Sequence, residues 1–101
     1  MMGSSYKSAA FLIESRLADA ARGDADACFD LGIAYSSGTH GIGVDLIEAH
    51  KWFNLSALAG SHEAQQCRAE IAEEMTAREI AEAQRQARAW LSGTVLGRNA
   101  A

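Results

Sequence analysis

The chain has no proline, only two cysteines, few β-branched residues and no long apolar run. Without proline, no helix interior meets a residue that lacks an N–H and clashes with the turn before it. Cys28 and Cys67 sit in no C-x-x-C pair and beside no histidine, which excludes a disulfide framework and a cysteine-rich zinc site. They read as small buried hydrophobes in a reducing compartment. No segment approaches the ~18 apolar residues of a membrane span. Glu14 and Arg16 interrupt the apolar stretch near the start before it reaches the length of a signal-peptide core. A cytoplasmic protein is expected, or an exported one if a leader precedes this sequence.

Positive charge is scarce as well. A formal net charge of −4 and a pI near 5.2 disfavour a phosphate-backbone partner, which calls for a basic patch or stripe. Arg78, Arg85 and Arg88 are interleaved with Glu79 and Glu82 and read as a solvated mixed-charge helix face. His40, His50 and His62 share no i, i+3 or i, i+4 spacing, so structural or solvent-exposed roles are favoured over metal ligation. Nothing in the sequence brings a base to either thiol. No catalytic residue, cofactor or metal is expected, and neither a nucleic acid nor a membrane is expected as a partner.

What the chain does have is alanine, glutamate, glutamine and arginine at helical spacing, over a length of 101 residues that suits one domain. The class is all-α. Residues 6–22 carry Tyr6, Ala9, Ala10, Ile13, Leu17 and Ala20 on one stripe and form an N-terminal cap helix. Gly23 ends it, and Asp24 caps a helix over 25–37. Asp45, with Glu48 three residues on, starts a helix over 46–59 in capping-box fashion. Gly60 stops that helix, and another runs from Ser61 to about Glu74. Thr76 and Glu79 form a full capping box, followed by the stripe Ala77, Ile80, Ala83, Ala87, Trp90 and Leu91. Residues 61–92 thus hold a half-repeat and a C-terminal cap helix, and 93–101 read as a flexible tail. Sliding the sequence by 37 residues aligns Ala20, Gly23 and Ala27 with Ala57, Gly60 and Ala64, the mark of an internal repeat.

The middle of the chain carries the most specific pattern. Ala27, Leu31, Gly32, Tyr35 and Gly38 follow A-x-x-x-L-G-x-x-Y-x-x-G. After a turn holding Gly41 come Asp45, Ala49, Trp52, Phe53, Ala57, Gly60 and Ala64, in the order D-x-x-x-A-x-x-W-F-x-x-x-A-x-x-G-x-x-x-A. This run, about a third of the chain, resembles the Sel-one-like repeat, a relative of the tetratricopeptide repeat. The turn departs from the usual G-x-G-V, being one residue longer at its start and one shorter at its end. The resemblance implies a short α/α solenoid of about five antiparallel helices, with one full repeat over 25–60 and degenerate half-repeats on either side. Arg68, Ala69 and Ala72 stand where the second repeat would hold Leu, Gly and Tyr. A branch of the family linked to β-lactam binding has paired cysteines within each repeat; they are absent here, and that activity does not carry over.

The resemblance also implies a generic scaffold role, which members fill in many pathways, often bacterial signalling, envelope regulation or host contact. At about 100° per residue from Ala27, Phe29 and Ile33 fall near 200° and 240°, away from Leu31 and Tyr35. They are candidate apolar anchors on a concave groove, rimmed by Asp26 and Asp30 and, on the next repeat, by Gln66 and Glu70. Such a groove suits a basic amphipathic segment of a protein partner. Alternatively the C-terminal helix folds back over these residues, or a twin molecule covers them in a homo-oligomer that uses the same groove; a small enzyme or ligand-binding protein is disfavoured, because no polar residues converge at catalytic spacing.

Overall fold

A computed structural model describes residues 5–93. It contains five α-helices, α1 (Ser5–Ala21), α2 (Ala25–Ser37), α3 (Leu46–Leu58), α4 (His62–Ala72) and α5 (Ala77–Gly93), with one 3-10 turn over Thr39–Gly41 and no strand among the described residues. The sequence's punctuation sets the boundaries. Asp24 Oδ1 accepts from the backbone N–H groups of Asp26 and Ala27 at 2.9 and 3.2 Å, and Ser61 Oγ accepts from the Ala64 N–H at 3.1 Å. Each satisfies amides that a helix start leaves without an internal partner. Thr76 and Glu79 close the full capping box, at 2.8 and 3.1 Å. The box expected at Asp45 is only half made. Asp45 Oδ1 takes the Glu48 N–H at 3.1 Å, while the Glu48 carboxylate turns inward to accept the Trp52 indole N–H at 3.0 Å. Gly38 closes α2 at φ +72, its N–H donating to Ala34 O, a left-handed conformation that favours glycine.

α3 is the hub, packing against α2, α4 and α5, while α1 packs on α2. α2 closes on α3 through close backbone and side-chain contacts. Gly32 lets α2 approach the Phe53 ring, and the Ser56 hydroxyl donates to Ala25 O at 2.8 Å. Between them, Asp45 N–H donates to Tyr35 O at 2.9 Å and ties the loop shut. These contacts pair the start of one helix with the end of the other, so α2 and α3 run antiparallel. The larger core cluster unites Ala20, Ala27, Cys28, Leu31, Trp52, Leu55 and Ala87, with Ile13, Leu17, Tyr35, Trp90 and Leu91 packed around it. The smaller one holds Ala49, Phe53 and Ala64, flanked by Phe29, Ala57, Cys67 and Ile71.

Successive pairing ends at α5, which lies on α3 rather than pairing with α4. The reason is aromatic. Trp90 meets Trp52 edge to face at a centroid distance of 4.8 Å, a geometry the ring quadrupoles favour. No comparable aromatic lies on α4, where Ala64 is the one fully buried side chain. Two stripe residues are also exposed, Ala10 on α1 and Ala77 at the start of α5. The side chains of Tyr6, Ala9 and His40 lie outside those described, as do residues 94–101 of the expected tail. No described helix is long and apolar enough to cross a membrane.

Candidate interaction face

The outward half of α2 is built from the residues that α1 and α3 leave over. Towards α1 it presents Leu31, Ala34 and Asp30; towards α3 it presents Cys28, Gly32 and Tyr35. Ile33 lies between these directions and keeps 39% of its surface exposed. It lines, with Leu12, Ile13 and Arg16 of α1 and Thr39 of the loop, a groove of about 300 Å³. Asp26 and Asp30 are both exposed. Asp30 Oδ2 accepts from Arg16 Nε at 3.0 Å, so one of the two acids on this face is engaged with α1 and Asp26 has no such cation.

Phe29 does not face away from α3. Its ring tilts against that of Phe53, centroids 5.6 Å apart, and it is half-buried in the smaller cluster. The sequence pattern alone centres the packed face on Ala27, Leu31 and Tyr35. The surface of α2 that meets α3 is instead centred between Cys28 and Gly32, which brings Phe29 to its edge and leaves Ile33 beyond it. Gln66 and Glu70 are exposed on α4. Their neighbours Cys67 and Ile71 turn in to the same cluster that Phe29 flanks, which relates the α4 residues to the α2 face through α3.

Two apolar residues of this region escaped the sequence reading. Phe11 is 69% exposed and Leu12 40%. The signal was present: Phe11-Leu12-Ile13 is a run of three bulky apolar residues, and a helix can turn only one part of such a run towards its neighbour. Ile13 took the inward position.

The ionisable groups of the core are held in their uncharged forms. Burial, helped by Asp24, pushes the Cys28 thiol up to about 11. Burial and the acids Glu70 and Glu63 raise that of Cys67, so both free thiols stay protonated near neutrality and are poor nucleophiles. Tyr35 is raised by burial and then by Glu48 and Asp45. Among the described residues, no three of His, Cys, Asp and Glu stand close enough together to hold a metal ion. His62 is exposed, whereas His50 is buried at 3% exposure with no protein partner for Nδ1. No family model, curated protein or solved structure matches this chain.

Proposed function

We propose that the chain is a non-enzymatic interaction module, a short α/α solenoid of the Sel-one-like kind, whose α2 face takes a segment of a partner protein. The observation that carries this reading is the groove in which Ile33 and Leu12 are exposed together above Arg16 and Asp30. An apolar floor with acid at its edge favours an amphipathic segment with basic residues, and the net charge of −4 favours a protein over a nucleic acid. Of the other candidates, Asp26 is exposed on α2 one turn before Asp30, while Phe29, Gln66 and Glu70 do not line this groove.

The experiment is peptide-display selection on the immobilised chain and on Ile33→Gln. Ile33 is exposed enough that this variant should change stability by no more than about 0.5 kcal/mol, as surface substitutions do. The wild type should enrich segments combining leucine-like and basic residues, and the variant should lose them. Enrichment of the same segments by both would move the site elsewhere. For a selected segment, Asp26→Lys should lower the association rate and flatten its salt dependence while the dissociation rate changes little, because rim charges steer more than they hold. Asp26 is the cleaner choice, since Asp30→Lys would also set a cation beside Arg16.

A second reading is self-association through the same face, favoured by the exposure of Leu12 and Ile33 in one groove, which a twin molecule would cover. Light scattering over a range of concentrations separates the two readings: a dimer that Ile33→Gln turns into a monomer makes the partner a second copy of the chain.

A further inference from the structure

We propose that His50 is a pH-sensitive latch that sets how firmly α4 is held on α3. The imidazole is 3% exposed, and its Nδ1 has no hydrogen-bond partner in the protein. One turn further along α3, Asn54 Oδ1 accepts from Arg68 Nη1, the side-chain tie from α4. The acceptor nearest in sequence on this side of α3 is therefore already engaged by a cation. α4 has its main packing on α3, through Ala64 against the Ala49 and Phe53 cluster with Cys67 and Ile71 beside it. A helix held chiefly on one side by small residues can open without unfolding its neighbours, as low-stability segments do.

Few charges bear on His50. Arg68 of α4 acts on it. Glu63 and Glu70 of α4 act on Cys67 instead, and Asp45 and Glu48 act on Tyr35 of α2. On α5, Glu82 is engaged by Arg85 and Gln86. A proton on His50 therefore adds a second cation near Arg68, together with a buried Nδ1–H that has no acceptor among the described residues. Burying such a charge unpaired is strongly unfavourable. The strain is relieved when α4 moves off and water reaches the ring.

The direction with pH follows. Burial first, and then Arg68, lower the proton affinity of His50 in the closed state. The open state therefore binds the proton more readily, and the stability of the closed state rises with pH. The latch is fully closed above the ordinary imidazole value of about 6.5 and loosens as pH falls below it. Once pH is below the lowered closed-state value, no further loss follows.

Amide hydrogen exchange on the whole chain at pH 7.5 and 5.5, each rate divided by its intrinsic value, reads this out residue by residue. The interior amides of α4 should lose protection at pH 5.5, by up to the roughly tenfold ceiling that an open-state value of about 6.5 sets between these two pH values, while α1 changes far less. His50→Phe should remove the difference. His62→Gln, at the exposed start of α4, should leave it in place. Equal α4 protection at the two pH values in the wild type overturns the latch, as does a loss that persists in His50→Phe. Should that variant fail to fold, NMR titration of the wild-type imidazoles decides. His50 must titrate below the ordinary imidazole value of about 6.5, with the loss of α4 protection spanning its titration; a His50 midpoint at or above that value overturns the proposal.

Discussion

Trp52→Ala should destabilise the chain by about 3–5 kcal/mol, the range for truncating a large aromatic in a core. Trp52 is 1% exposed, and several contacts depend on it at once, among them the Lys51 ammonium 5.0 Å over its ring. Its ring receives Trp90 edge to face, its indole N–H donates to Glu48 at 3.0 Å, and it packs in the cluster that joins α1, α2, α3 and α5. Truncation leaves a cavity, strips α5 of its aromatic seat and frees a partly buried carboxylate that retains only Lys51, at 3.2 Å. Small domains have about 5–15 kcal/mol in all, so the variant should unfold at much lower urea than the wild type. Circular dichroism across a urea titration measures it. A change below about 1 kcal/mol, the ordinary size for a substitution outside any core, would put Trp52 on the surface and contradict the packing described.

Gly32→Ala should also destabilise, by about 2 kcal/mol, against the local preference of the helix. In an isolated helix the change would be favourable by about 1 kcal/mol, because glycine is the poorer helix former. Here a Cβ at position 32 would stand 2.5 Å from Phe53 Cδ1 and Cε1. The ring is 1% exposed and is flanked by Phe29, so it has little room to yield. A contact this short puts the overpacking cost at the upper end of its usual range, about 3 kcal/mol, which outweighs the propensity gain of about 1 kcal/mol. Shortening the obstacle should relieve the clash. The double variant Gly32→Ala with Phe53→Leu should be more stable than the sum of the singles by about 0.5–3 kcal/mol, the coupling found for residues in contact. A stabilising Gly32→Ala would mean that α2 and α3 do not approach through this glycine.

These two positions also show what was legible in the sequence. Glycines and caps act locally, so Gly38, Asp24, Ser61 and the Thr76–Glu79 box marked the helix ends without any tertiary knowledge. The all-helical class followed from composition, with no proline and abundant alanine, glutamate, glutamine and arginine. Periodicity showed that α5 had a buried stripe but could not say which neighbour it met; that choice was made by Trp90 finding Trp52, 38 positions earlier in the chain. On α2 the stripe was read correctly but its centre was placed too near Ala27, which turned Phe29 outward. A shift of less than half a turn separates an anchor on a free face from a ring in the core, and only the position of α3 resolves it. His50 was the least legible residue. Its polarity pointed to the surface or a satisfied site, yet it is buried without a partner for Nδ1, and nothing in its local sequence announces that.

α3 absorbs the packing of its neighbours, while α2 keeps Ile33 exposed. Paramagnetic relaxation by a small soluble probe, read by NMR on the whole chain at low and high protein concentration, tests both halves together. The Ile33 and Leu12 methyl groups should be strongly broadened at both concentrations, with the Trp52 indole and the Phe53 ring protected. Broadening of Trp52 or Phe53 would contradict the core, and Ile33 and Leu12 methyl groups protected even at low concentration would contradict the open face.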